Sequence, residues 1–369
     1  MSGIWFKIDN TVPVVTPALM LFPERIENNI RKMIAIAGGV ERLRPHVKTH
    51  KLPELIRLQI RHGITKFKCA TIAEAEMTAM NGGKDILIAF PLTGTAIDRF
   101  INLVNVFPSA EFSLIADSAY VISELSHKAV ESGIELHVLL DLDIGMHRTG
   151  IIPGPEALKL YQLINDLPGL ILSGLHVYDG HIRDSNLTDR AKVCNRDFKK
   201  ATDFIGELNK AGFTTPLVIA GGTPTFPVHA KASDLELSPG TCILWDYGYS
   251  TAFPDLTFKH AAVLITTIVS KPAENLLCLD LGHKAIASEM SQPRVFFPEI
   301  KDFEVINHSE EHMVIAVKNA EMWEAGQYVY GIPVHICPTM ALHENVYVVK
   351  NGSIVDEWKV LARKRKITV

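Results

Sequence analysis

The chain has 369 residues, 47% hydrophobic and 21% charged, which suits an ordinary globular protein of about two domains. A formal net charge of −4 argues against nucleic acid as the main partner. No apolar run reaches the ~18 residues of a membrane span, no signal-type apolar region lies within the first 17, and the five cysteines are scattered without a C-x-x-C pair. The expectation is a soluble, cytoplasmic protein with reduced thiols and no membrane partner.

Strand-like runs fall at 18–22, 43–48, 66–71, 85–90, 111–117, 136–142, 171–178 and 217–221. Helical patterns at 23–37, 52–62, 73–80, 119–132 and 190–211 separate them; the last spaces Phe198, Ala201, Phe204, Ile205 and Leu208 at a helical period. About eight βα units in roughly 200 residues predict an α/β fold, a (β/α)8 TIM barrel. A doubly wound sheet would carry G-x-G-x-x-G after its first strand, where Phe22-Pro23-Glu24 stands instead. Beyond Gly240 the runs 260–269, 276–279, 313–317, 328–331, 345–349 and 354–360 are β-like and joined by turns. The expected division is a barrel over 14–242 and a mostly β domain over 243–369, the latter joined by residues 1–13.

The segment Arg44-Pro45-His46-Val47-Lys48-Thr49-His50-Lys51 gathers five cationic or imidazole side chains in one octet. A lysine held among cations at a barrel mouth has a lowered pKa and serves as a neutral amine nucleophile, as in covalent attachment of pyridoxal phosphate (PLP). The competing reading is a solvated basic loop. Barrel sites lie at the C-terminal ends of the strands, and four polar motifs fall there. Lys48 ends the second strand, Arg148 follows the sixth, His176 and Tyr178 close the seventh, and Gly221-Gly222-Thr223-Pro224-Thr225 follows the eighth. Glycines admit an anion close to the backbone, so the last is a candidate phosphate cradle or simply a chain reversal. In His335-Ile336-Cys337-Pro338, residues at i and i+2 of a strand face one way, so His335 and Cys337 could grip one divalent metal, Zn²⁺ in preference to Mn²⁺ or Mg²⁺. A core histidine and cysteine beside a proline is the alternative.

Together these motifs resemble the D-serine dehydratase/D-threonine aldolase family of fold-type III PLP enzymes, in the alanine racemase superfamily. The matching stretches are 44–51 (R-P-H-V-K-T-H-K), 69–75, 221–225, 237–241, 280–285, 309–312 and His335-x-Cys337, in family order over nearly the whole chain. The resemblance implies a PLP-binding barrel with an alanine racemase N-terminal-like fold, a C-terminal β domain and a homodimer. It implies that Lys48 carries PLP, that Arg148 and Tyr178 contact the ring or its O3′ oxygen, and that Gly221, Gly222 and Thr223 hold the phosphate. His335 and Cys337 would hold the metal.

PLP supplies an electron sink, and the protein decides which bond at the α-carbon breaks. A metal acting as Lewis acid on a β-hydroxyl, with Lys48 removing the α-proton, gives β-elimination: D-serine becomes pyruvate and ammonia. A base taking the hydroxyl proton instead gives glycine and an aldehyde, and His181 is the candidate for that base or for a metal-site partner. In the family, dehydratases tend to carry cysteine two residues after the metal histidine and aldolases aspartate. Cys337 therefore points to a D-serine dehydratase-like enzyme acting on a D-3-hydroxy amino acid, with D-threonine aldolase-type cleavage as the alternative. Tyr178-Asp179-Gly180-His181 departs from the dehydratase pattern and keeps that alternative open. An amino-acid racemase or a non-catalytic PLP-binding protein is less favoured: no second base is evident, and the extra β domain has no place in a simple carrier.

Overall fold

In the computed structural model, which describes residues 4–9, 14–214, 216–232 and 234–369, seven parallel strands form one sheet in chain order. They are Lys66–Cys69, Asp85–Ile88, Glu111–Ala116, Leu136–Leu142, Leu170–Val177, Val218–Ala220 and Leu235–Leu237. Residues 43–46 bridge the two edges of this half-barrel, Leu43 to Leu237 and His46 to Lys68. The unit comprises 31–48, 53–240 and 364–369.

The ring is therefore built differently from the sequence expectation at three places. The run at 18–22 is not its first strand: Ala18–Leu21 pairs antiparallel with Ala262–Ala273 and parallel with Asn345–Lys350. Four apolar residues buried throughout carry no period that would say which sheet they join. The segment 43–48 forms only single bridges before turning into a 3₁₀ helix at Val47–Thr49, because Pro45 has no N–H for a ladder. Leu235–Leu237 is a strand that the sequence reading missed; three residues are too few to show alternation.

Charge replaces pattern at this seam. The buried Arg44 donates to Asp85 Oδ1 and Oδ2 at 2.5 and 2.6 Å and to Glu236 Oε2 at 2.8 Å. Lys66 also pairs with Glu236. Leu87, Ile115, Leu139 and Ile219 pack together as an apolar plug. Helices start where capping dictates: the Thr71 hydroxyl accepts from Glu74 N–H at 3.1 Å, Glu74 returns a carboxylate to Ala70 N–H at 2.6 Å, and Ile72–Met80 follows.

The second unit, 241–363 with the described residues up to Ile30 and 49–52, holds a nine-stranded sheet. Its central Ala262–Ala273 pairs with Ala18–Leu21, Leu276–Leu279 and Tyr328–Pro333. Phe6 and Ile8 pack with Met20, Val263, Ile265 and Tyr330, and Asp9 N–H donates to Gly352 O at 2.8 Å. Residues 1–3 and 10–13, the rest of the N-terminal stretch expected to join this domain, lie outside the described residues. Among those residues no helix is long and apolar enough to cross a membrane.

Candidate active site

The barrel unit collects its polar side chains at the C-terminal ends of its strands. Lys48, half-buried in the turn Val47–Thr49, lies in the field of Lys68 and His46. Lys68 is buried, with Nζ 5.6 Å from the Tyr178 ring centroid; the Arg148 guanidinium is 4.8 Å from the same centroid. Burial, then the charge of Lys48, pushes Lys68 down to about 7 against the pull of Asp179 and Asp141. Burial, with Lys48 and Lys68 adding to it, holds His46 well below the ordinary imidazole value.

His176 Nδ1 donates to Asp141 Oδ1 at 2.7 Å, and Thr149 Oγ1 donates to Asp141 Oδ2 at 2.8 Å. Burial keeps His176 low despite that carboxylate, so the ring is neutral. Its Nε2 is buried with no hydrogen-bond partner among the described residues. The loop carrying Arg148 is pinned at both ends: Asp143 Oδ1 accepts from Gly145 and His147 N–H at 2.9 and 3.1 Å, and Asp117 Oδ2 accepts from Gly150 N–H at 2.8 Å.

The Gly221–Gly222 turn follows Val218–Ala220. Gly221 has φ +75°, and a Cβ there would stand 2.8 Å from His229 Cδ2; one on Gly222 would stand 3.2 Å from the Tyr178 ring. The two amides are engaged within the protein, Gly221 N–H with Val177 O at 3.1 Å and Gly222 N–H with Thr225 Oγ1 at 3.2 Å. What the glycines provide is therefore space beside Tyr178 more than spare donors. Thr223 Oγ1 accepts from Gly240 N–H at 3.1 Å. Ser238, next to this turn through Ser238 N–H to Ala220 O at 3.2 Å, has a buried hydroxyl with no partner among the described residues.

These features fit PLP: an amine among cations, an aromatic face beside a guanidinium, a Cβ-free turn, and two orphaned buried polar atoms that call for a bound polar group.

His181 lies beside the loop that carries Arg148: a Cβ on Gly145 would stand 2.8 Å from its Nε2. Its Nε2 is 3.1 Å from Asp197 Oδ2, and its Nδ1 is buried without a partner among the described residues. Asp197 is held below the usual carboxylate range by its hydrogen bond from Arg196, against burial, with His181 helping. An ionised carboxylate accepts a proton from Nε2, so in the neutral ring the lone pair lies on Nδ1.

In the other unit, His335 and Cys337 do not share a strand face. The strand Tyr328–Pro333 ends first, and Ile336–Leu342 is a helix with Cys337 and Pro338 in its first turn, where proline is tolerated. The side chains still meet through a hydrogen bond that, against the opposing effect of burial, helps raise His335 to about 9. Glu289 Oε1 is 2.5 Å from His335 Nδ1, and Cys337 Sγ is 3.3 Å from Thr49 Oγ1. Imidazole, thiol and a nearby carboxylate form a donor set that fits a borderline-soft divalent cation.

Lys68, Asp141, Ser238 and the buried trio Asp179, Cys194 and His229 carry chemistry that the sequence reading assigned no role. Lys68 had a usable signal, a lysine inside a strand otherwise buried. The trio unites residues from three distant segments, which no local spacing announces.

The alanine racemase N-terminal domain model matches residues 23–248, and the serine dehydratase domain model matches 261–349. A D-threonine aldolase from Arthrobacter sp is 30% identical over 361 residues, covering 96% of this chain and 94% of that one. A D-serine dehydratase from Dictyostelium discoideum is 24% identical, covering 93% and 96%. The crystal structure of D-threonine aldolase from Filomicrobium marinum superposes with a TM-score of 0.88 at 26% identity, covering 95% and 96%.

Proposed function

The chain belongs to the alanine racemase N-terminal domain family, among the PLP-dependent lyases related to D-serine dehydratase and D-threonine aldolase, and we propose that it cleaves D-3-hydroxy amino acids by a retro-aldol reaction to glycine and an aldehyde. The observation that carries this reading is the His181–Asp197 pair, a histidine with one nitrogen held by a carboxylate and the other bare. The higher identity to an aldolase than to a dehydratase, 30% against 24%, supports it.

In this reading the bulk of 14–242, from residue 31 on, forms the cofactor domain, and 243–369, to which Ala18–Leu21 adds a strand, the domain that holds the metal. Lys48 would carry PLP on Nζ, Arg148 and Tyr178 would contact its ring, and Gly221, Gly222 and Thr223 would hold its phosphate, the glycines by the room they leave, with help from the Ser238 hydroxyl. His335 and Cys337 would hold the cation, Zn²⁺ before Mn²⁺ or Mg²⁺. When bound, PLP supplies an electron sink for the pair released at the substrate α-carbon, and the cation supplies a Lewis acid.

The chain's own residues do the rest. Lys68, Lys48 and Arg148 provide the positive field that favours a phosphate and a substrate carboxylate. His181 takes the proton of the β-hydroxyl at Nδ1, and Asp197 stabilises the resulting imidazolium. The Cα–Cβ bond would break, the aldehyde would leave, and the α-carbon would take one proton from the Lys48 ammonium, the proton held by His181 restoring the balance.

A second reading, β-elimination to a keto acid and ammonia, is favoured by one residue, Cys337, where the aldolases of the family tend to carry aspartate. We also place the protein in the cytoplasm, since none of its five cysteines forms a disulfide, and we infer a homodimer, for which sedimentation should return twice the chain mass. The cofactor assignment is tested by absorbance. Protein with PLP should show a visible band that resists gel filtration and is lost in Lys48→Ala; an unchanged band would remove Lys48 from its role.

A further inference from the structure

Asp179 stands at the junction between Tyr178 and the Gly221–Gly222 turn, and both of its carboxylate oxygens are engaged. Oδ1 accepts from Thr225 Oγ1 at 2.7 Å, and Oδ2 accepts from His229 Nε2 at 2.7 Å; Asp179 and Thr225 are 1% exposed and His229 4%. The two partners shape the turn directly. Thr225 Oγ1 accepts from Gly222 N–H at 3.2 Å, and the His229 ring edge closes over the Gly221 α-carbon. We infer that Asp179 is a positioning residue that sets the Gly221–Gly222 turn to receive the cofactor phosphate, through Thr225 on one oxygen and His229 on the other. The inference rests on the PLP reading above and concerns a residue without substrate contact.

A competing role for these side chains is metal binding, since ligand atoms of Asp179, Cys194 and His229 lie within 4.8 Å of one another. The hydrogen bonding argues against it. His229 Nε2, the nitrogen a cation would need, is committed to Asp179, with Cys194 Sγ 3.4 Å away. Burial, together with the Asp179 charge, pushes the Cys194 thiol up, away from the thiolate that a metal requires. The cluster is a hydrogen-bonded post under the turn.

Comparing PLP with pyridoxal, which lacks the phosphate, separates this role from a general structural one. Dissociation constants for both are measured by absorbance on the full chain stripped of cofactor, with metal content measured in parallel. Asp179→Asn should weaken PLP about tenfold, the worth of one hydrogen bond, and leave pyridoxal unchanged. Thr225→Val, which spares the Asp179–His229 pair, should give a smaller loss with the same selectivity, and it serves if the first variant does not fold. An equal loss for both ligands, or none, overturns the inference. Loss of a bound cation together with PLP affinity in Cys194→Ser overturns it in favour of a metal site. A wild-type protein that prefers PLP to pyridoxal by nothing at all overturns the PLP reading itself, and this inference with it.

Discussion

His176 donates from Nδ1 to Asp141 Oδ1 across 2.7 Å, which fixes the tautomer and leaves Nε2 as a bare acceptor in a site crowded with cations. Asp141→Asn can turn its amide N–H₂ to Nδ1 and move the ring proton to Nε2. Turnover should fall about 10- to 100-fold, the usual effect of losing such an orienting partner, with an unchanged far-UV spectrum. Full activity in Asp141→Asn would show that the tautomer is irrelevant.

Arg44 ties the edge of the barrel sheet to Asp85 and Glu236 while almost fully buried. Arg44→Met leaves Glu236 with Lys66 as its remaining ion-pair partner and Asp85 without its cation. The expected loss is about 3–5 kcal/mol, read from urea denaturation. A change under about 1 kcal/mol would mean that the pair behaves as a surface contact.

Lys68 provides a test with the opposite sign. Its folded value, about 7, lies below the ordinary lysine value of 10.5, so folding favours the neutral amine. The contribution is fully present above pH 10.5 and is lost as pH falls through 7. Lys68→Met should therefore stabilise the cofactor-free protein at neutral pH, by roughly 2–4 kcal/mol, and the gain should vanish as the pH approaches the lysine value. A destabilised variant at pH 7 would show that Lys68 is held there by pairing rather than tolerated.

The metal assignment predicts that chelation abolishes turnover and that His335→Ala loses the cation while keeping the PLP band. His335 is raised to about 9: burial opposes the shift, and Cys337, Glu289 and Asp246 outweigh it. A cation must displace that proton. Its apparent affinity should rise with pH and level off above about 9. Turnover insensitive to chelator would contradict the assignment.

Much of this site was legible because (β/α) architecture sends chemistry to the strand ends. Arg148 and Tyr178 follow the long strands Leu136–Leu142 and Leu170–Val177, whereas Lys48 is marked by its octet and Gly221–Gly222 by its glycines. The misplaced pieces had no period to read. Ala18–Leu21 is apolar on both faces, and Leu235–Leu237 is three residues long. His335 and Cys337 stayed together for a reason other than strand alternation, the opening turn of a helix. The Asp179–His229 post depends on long-range burial, which residue spacing does not encode.

The most direct test is the product pair formed from D-threonine by the purified protein loaded with PLP and Zn²⁺. Retro-aldol cleavage through His181 predicts glycine and acetaldehyde in equal amounts, without 2-oxobutyrate, and loss of both in His181→Ala. Release of 2-oxobutyrate and ammonia, undiminished in His181→Ala, would contradict it and assign the protein to β-elimination.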